Sequence, residues 1–343
     1  MLFLYELKKT FSGVALWCFF TLCIAFNLLT LPANRGIELD TTTPFPENVF
    51  ENYNTSDVAE AYISFFGLTS RVADRMRAKY TDLQTTVDNK AQSGDSFSPY
   101  FGEMTYSMHH GLFYSLGIMG RLLFQGILFA VLLQLLSVGY ERANNTEHSV
   151  YSSKIGRRIL RYKVAAGLVA SALIYALLTA ITLSVYFSIF DYGEVWNSSI
   201  SSGYNYIIDN IIVRPFATWR QFTVASHLLT TIGVSIILIT CFSLMGATVG
   251  TLSKNGYTGF LMTLLINGFF FVFPTFLSRN TYTRFVLYHT PIRLWWNIDL
   301  WFTDGGFITL WRNFELWGAG LSLLLLITIS VLGVIRFNRK DIV

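Results

Sequence analysis

The sequence predicts an all-α, polytopic membrane protein with six transmembrane helices and an extracellular helical insert between the first two. Of its 343 residues, 52% are hydrophobic and 13% are charged, and soluble domains average about 25% charged residues. Mean hydropathy is +0.45, and apolar residues come in blocks of roughly 20, the length that crosses a bilayer as a helix. A chain with so little polar surface is not expected to stay dissolved in water, so we assign it to a membrane.

The first predicted span covers residues 13–32 and ends at Pro32. Its apolar stretch of about 20 residues exceeds the 7–15 residues of a cleavable signal sequence, and no small-residue cleavage site follows. We therefore expect a retained transmembrane helix, with residues 1–12 before it on the cytoplasmic side.

A polar stretch, residues 33–115, separates the first span from the second. From Ser56 to Lys90 it has helical periodicity, good helix formers and mixed charges, and Ser56 stands at a position typical of an N-cap. Its length and organisation predict a small helical domain rather than a linker.

The remaining spans alternate with polar segments. We place them, with boundaries good to a few residues, at 116–140, 163–190, 222–252, 259–278 and 315–335. The connecting segments are 141–162, 191–221, 253–258 and 279–314, with a tail at 336–343.

The distribution of Lys and Arg predicts the orientation. The four segments on the side of the N-terminus hold 12 Lys and Arg within about 50 residues, whereas the opposite segments hold 12 within about 150. Both termini are therefore expected in the cytoplasm and the insert outside the cell, in a plasma membrane. Because these cations lie in short loops beside apolar blocks, no nucleic-acid partner is expected.

Few residues indicate chemistry. Cys18, Cys23 and Cys241 lie in apolar runs without metal-ligand spacing, and the adjacent pair His109–His110 has no nearby Cys or acidic cluster to complete a metal site. The sequence contains no phosphate-binding loop and no hydrolase motif. We therefore expect a non-catalytic chain without a metal or cofactor of its own.

Several residues are candidates for a substrate path or gate. Arg121, near the outer end of the second span, either reaches the headgroups or contacts an anionic substrate. Asn267 is a lone amide in the fifth span. The segment 279–314 is rich in aromatic rings and is interpreted either as short helices forming a lid, with Pro291 between them, or as an interfacial aromatic belt. Its candidate gate residues are Trp295, Trp296 and Trp301.

The basic loop 141–162 carries both signs of charge, which suits docking to a cytoplasmic partner as well as contact with anionic lipid. Six residues are candidates for this coupling: Glu141, Thr146, Glu147, Lys154, Arg157 and Arg158.

This loop and its flanks resemble the ABC-2 type family of ABC-transporter permeases, especially members from Gram-positive bacteria. The resemblance rests on Glu141, Thr146, the run Ser152-Ser153-Lys154-Ile155-Gly156-Arg157, Lys163, and the basic tail that begins at Arg336. It implies an amphipathic elbow helix at residues 1–12 and a coupling helix in the loop. It also implies an ATP-binding partner subunit that holds ATP and magnesium, and a second permease copy or paralogue.

We thus expect the permease subunit of an ABC transporter that exports an amphiphilic substrate such as a peptide, lipid or drug. Two other functions stay open. One is a channel or secondary carrier, which needs no ATPase; buried ionisable residues that would support proton coupling are missing from the middles of spans three to six. The other is a membrane sensor or scaffold whose outer domain binds a ligand.

Overall fold

The protein is mostly helical, with 77% of the residues that the structure describes in helices. A computed structural model describes residues 2–31, 48–93, 111–114, 116–152, 156–193, 196–201, 206–208 and 211–339. The predictions made for Lys154, for His109–His110 and for the end of the tail lie outside the described residues. In chain order the helices are α1 (Leu2–Phe11), α2 (Val14–Thr30), α3 (Thr55–Phe66), α4 (Ser70–Ser93), α5 (Ile118–Ala143), α6 (Glu147–Tyr151), α7 (Ile159–Ile189), α8 (Val224–Leu252), α9 (Gly256–Phe276), α10 (Tyr282–Leu287), α11 (Pro291–Trp296) and α12 (Phe314–Arg339).

Five of these helices, α5, α7, α8, α9 and α12, are long and apolar enough to cross a membrane. The pair α1 and α2 passes the same test together but is bent by 60°, because Gly13 between them has an extended backbone (φ −76°, ψ 121°). The prediction of a mostly helical protein is confirmed, with five helices of membrane-spanning length and composition, or six if the bent pair counts as one; a short β hairpin departs from the predicted all-α class.

Successive long helices run in opposite directions. At one end of the bundle, called the α1 end, Lys9 contacts Glu141 at the end of α5, and Arg157 before α7 donates to the Phe337 carbonyl at the end of α12. At the other end, called the insert end, Arg121 of α5 donates to Thr30 of α2 over 2.5 Å. The three residues between α8 and α9 require these two helices to run antiparallel, because so short a connection joins only antiparallel neighbours.

Helices α5, α7 and α8 form the packed half of the bundle, and α2 packs on α5 and α7 through Asn27. Gly126 of α5 lets Tyr175 of α7 and Ile239 of α8 approach closely, and a Cβ there would lie 2.6–2.7 Å from their side chains. The amides of Asn27 and Gln125 are buried and bond each other at 2.8 and 2.9 Å. Small residues and paired amides hold membrane helices together, because lipid tails offer no hydrophobic driving force.

Helices α9 and α12 form the open half. Of the most apolar 18-residue stretch, 22% is buried in α9 and 17% in α12, compared with 72% in α5. Both helices pack on α8 and leave broad apolar faces uncovered.

The described part of the insert contains a helical hairpin of α3 and α4. Asn54, not the predicted Ser56, caps α3, and its side chain accepts the backbone N–H of Ser56. Asn54 can do so because its extended backbone directs the side chain at the first turn. Gly67 ends α3 with φ 60°, a conformation that favours glycine.

A buried ionic cluster ties the insert to the other segments at this end. Arg214 of the hairpin β1 (Tyr206–Ile208) and β2 (Val213–Pro215) bonds both oxygens of Asp304, at 3.1 and 3.2 Å. Tyr80 donates to the same carboxylate over 2.5 Å, and Lys79 donates to the carbonyls of Asp304, Gly306 and Thr309. Although burial opposes ionisation, Arg214 and Lys79 hold the pKa of Asp304 below its usual range. Helix α4, strand β2 and residues 304–309, which are far apart in sequence, are thus joined by direct contacts.

Candidate functional site

A groove of about 920 Å³ lies in the open half, between α8, α9 and α12, under the α10–α11 segment. Its volume is in the range of small-molecule sites. Most of its walls are apolar. The lining residues are Arg75, Met245, Thr248, Val249, Ile266, Asn267, Phe270, Val286, Leu287, His289, Thr290, Pro291, Ile292, Trp311, Arg312, Phe314, Trp317, Gly318, Leu321, Ser322, Leu325, Leu326 and Ile329.

The groove is long enough to hold a lipid tail. Along α12 it runs from Phe314 to Ile329, about 22 Å at a rise of about 1.5 Å per residue. The hydrocarbon core formed by two leaflets is about 30 Å thick. The lining residues on α12 recur at helical spacing, which places them on one face of the helix.

Gly318 determines how closely α12 approaches the α10–α11 segment beside the groove. A Cβ on Gly318 would lie 2.7 Å from the His289 carbonyl oxygen, so only glycine lets α12 pass so close to the α10–α11 segment. The Nε2 atom of His289 lies 3.1 Å from the Thr309 hydroxyl. Burial lowers the pKa of His289 to about 4, so the ring is neutral at pH 7 and adds a polar but uncharged wall.

The charged side chains that line the groove are cationic. Arg75 and Arg312 line it at the insert end, and no Asp or Glu lines it among the residues the structure describes. Arg312 also lies 5.2 Å from the ring of Trp219. An apolar groove with a cationic mouth fits an amphiphile better than an inorganic ion.

The predicted path residues are not brought together. Asn267 lines the groove and donates to the Thr263 carbonyl over 2.8 Å. Arg121 instead contacts α2, and Trp301 is fully buried with its indole N–H on the Leu294 carbonyl.

The other two candidate tryptophans lie on α11, where they contact α5 and α9. Trp295 stacks on Phe124 of α5 at 5.0 Å, and Trp296 is 40% exposed against Phe271. Neither lines the groove, whereas Trp311 and Trp317 do. The aromatic segment contains Trp311 and adjoins Trp317, but neither was among the predicted gate residues; the spacing of Phe314, Leu321 and Leu325 was a signal for a shared groove face.

At the α1 end, Glu141 is buried rather than presented on the loop. Its carboxylate accepts from Lys9 at 2.7 Å and from Lys163, and both lysines also lie within 3.7 Å of Glu6. The ammonium of Lys9 lies 3.9 Å from the Tyr140 ring centroid. This cluster joins α1, α5 and α7, so the contacts of Glu141 are within the chain.

Beyond Glu141, the described residues of the loop before α7 are exposed or half-buried. None of the residues of α6 is buried. Thr146 and Arg158 are exposed, Glu147 lies 3.6 Å from Arg142, and Arg157 contacts Phe337 of α12. The short helix thus contacts Arg142 through Glu147 and Phe337 through Tyr151, and none of its residues is buried.

Among the described residues, no group of three or more His, Cys, Asp or Glu could hold a metal ion. Comparisons with known proteins add no identity, since no family model, no curated protein and no solved structure matches this chain.

Proposed function

We propose that the chain is the membrane subunit of an ABC transporter of the ABC-2 type, which moves an amphiphilic substrate with the energy of a separate ATPase. The observation that carries this proposal is α6. It is a short helix with no buried residue between the ends of two apolar helices, at the end of the bundle where α1 also lies. A surface helix in this position can transmit movement of a docked partner to α5 and α7.

The groove supports an amphiphilic substrate. Its apolar length accommodates a hydrocarbon tail, and Arg75 and Arg312 favour a neutral or anionic head over a cationic one. Export, as in most relatives of the resembled family, is the proposed direction.

The topology proposed with this function has six spans, counting α1–α2 as one. The α1 end then faces the cytoplasm of a bacterial cell, and α3–α4 lie outside. The higher density of Lys and Arg in the segments of the α1 end supports this orientation. ATP and magnesium would be held by the partner subunit, and a second permease copy or paralogue would cover part of the exposed faces of α2, α9 or α12.

The test is purification of the tagged chain from its native membrane in mild detergent, with ATPase activity measured on the eluate. We expect a stoichiometric ATP-binding subunit and vanadate-sensitive hydrolysis. Glu147→Lys reverses a charge on α6 and is expected to weaken retention of that subunit about tenfold, or about 1.4 kcal/mol.

The matched control is Glu51→Lys, the same charge change on an exposed residue at the insert end, which should leave retention unchanged. A chain that elutes alone without hydrolysis, even after cross-linking in the membrane, would contradict the proposal and favour a channel, a secondary carrier or a sensor. Equal retention in both variants would contradict the docking role of α6.

A further inference from the structure

Two arginines are buried next to each other between α9, α10 and α11. Arg284 is 8% exposed and Arg293 is 7% exposed. Both guanidinium groups lie near the same ring, at 5.6 and 4.6 Å from the Tyr288 centroid. Neither residue lines the groove, so this is a separate location at the insert end.

No carboxylate neutralises this pair among the residues that the structure describes. Arg284 donates to the Leu277 carbonyl over 3.1 Å and to the Tyr288 hydroxyl over 3.3 Å. Arg293 makes no side-chain hydrogen bond there, and its Nε is buried without an acceptor. Its terminal nitrogens retain some accessible surface.

The carboxyl end of α9 accounts for only one of the two charges. Leu277 is the C-cap of α9, so Arg284 meets a carbonyl at the negative end of a helix, which is a favourable position for a cation. Arg293 reaches no such carbonyl. It lies 4.4 Å from the Phe271 ring instead.

Aromatic contacts do not provide hydrogen-bond acceptors for the N–H groups of Arg293. A guanidinium carries five N–H donors, and ring faces attract its charge without supplying lone pairs. A buried charge is ordinarily paired and hydrogen-bonded, because its desolvation is costly. Burial and the nearby Arg284 lower the pKa of Arg293 from its ordinary value, in the direction expected for a cation without an anion.

The residues around Arg293 indicate which kind of anion it would bind. The face of α9 that leads to Phe271 is apolar and uncovered; Leu264, two turns before Phe271, is 56% exposed, and a Cβ on Gly268 would meet no atom within 4 Å. Trp296, which packs against Phe271, is 40% exposed, and exposed Trp is typical of the headgroup layer of a membrane. A lipid whose tail lies along α9 would bring its phosphate to Arg293.

We propose that Arg293, with Arg284 beside it, binds the phosphate of an anionic lipid headgroup in the leaflet at the insert end. Arginine suits this role because its planar fork donates two parallel hydrogen bonds to phosphate oxygens. The bound lipid would hold the α10–α11 segment against α9. This inference does not depend on an ATPase partner or on transport.

The test compares lipid binding to the purified full chain by native mass spectrometry and by thermal shift. Phosphatidylglycerol and phosphatidylcholine with the same acyl chains are the probes, and inorganic phosphate is a third. We expect about a tenfold preference for phosphatidylglycerol, and no shift with phosphate at the same concentration.

Arg293→Gln should abolish the preference, and Arg293→Lys, which keeps the charge but loses the fork, should reduce it severalfold. Arg279→Gln removes a charge from an exposed arginine nearby and should leave the preference intact. Equal binding of the two lipids by the unaltered chain, or an unchanged preference in Arg293→Lys and Arg293→Gln, would overturn the proposal. An equal shift with inorganic phosphate would overturn the lipid assignment in favour of a free anion.

Discussion

The helices of the packed half and of the open half are both apolar enough to cross a membrane, yet they differ in how much of their surface is buried against other helices. In α5, 72% of the most apolar stretch is buried, and buried amides and a glycine contact set its neighbours. In α12 the corresponding share is 17%, and the helix lines a groove with one face. Hydropathy therefore identifies the spans, whereas small and polar residues determine which of them pack against one another.

The largest effect that would sharpen this comparison is expected at Glu141, in the packed half. Glu141→Gln leaves the ammonium groups of Lys9 and Lys163 with only Glu6 to balance them. Removing one partner of a buried ionic cluster costs about 3–5 kcal/mol, which we expect as a loss in the free energy of unfolding of the purified chain.

The control for this change is Glu147→Gln on the neighbouring loop. Its contact with Arg142 is long, at 3.6 Å, and partly exposed, so the cost should stay below about 1 kcal/mol. Equal stabilities of the two variants would show that the cluster around Glu141 does not hold α1 to α5 and α7. A stable Glu141→Gln chain that loses only ATPase coupling would assign Glu141 to the partner contact instead.

A second difference between the halves is expected at two glycines. Gly126→Ala places a methyl group 2.6 Å from Ile239 and 2.7 Å from Tyr175, both fully packed in the core. Overpacking of this kind costs about 1–3 kcal/mol. In the open half, Gly268→Ala meets no atom within 4 Å, and alanine is the better helix former by up to about 1 kcal/mol.

Thermal unfolding of the two variants in the same detergent measures this difference. We expect a lower melting temperature for Gly126→Ala and an unchanged or higher one for Gly268→Ala. If Gly268→Ala were the more damaging substitution, α9 would be packed against another chain in the purified protein, and its exposed face would be an interface.

The features of this fold that could be predicted are those that depend on neighbouring residues in the sequence. Runs of apolar residues identify the long helices, and turn residues such as Gly67 end the shorter ones. The ionic clusters could not be predicted in this way, because Glu141 pairs with Lys9 across 132 positions and Lys79 reaches Asp304 across 225. A polar residue after an apolar run indicates a loop, so Glu141 was expected at the surface.

The candidate site was predictable to a smaller degree. Asn267 stood out because a lone amide in a span is costly unless it has a use. The aromatic segment was recognised as a unit, but the sequence does not show which rings face inward. Trp301 is buried and Trp317 is 66% exposed beside the groove, and this division depends on where α10 and α11 turn.

The smallest expected effect concerns His289, which lines the open half. Burial lowers its pKa to about 4, whereas an unfolded histidine titrates near 6.5. Between these values the unfolded chain binds more protons, so the contribution of His289 is complete above pH 6.5 and falls as the pH drops toward 4. From pH 7 to pH 5 the expected loss is about 1–2 kcal/mol.

The opposite sign applies to Asp299, whose pKa burial raises to about 6, because its folded form binds a proton first and gains stability as the pH falls from 6 toward 4. The measurement is therefore the difference in melting temperature between the unaltered chain and His289→Gln, followed from pH 7 to pH 5, because the contribution of Asp299 is common to both. We expect the gap between the two to narrow at low pH, since glutamine has no proton to bind. Parallel curves would mean that His289 stays accessible to protons, and that the groove wall formed by Trp311 and Phe314 opens to water in the folded protein.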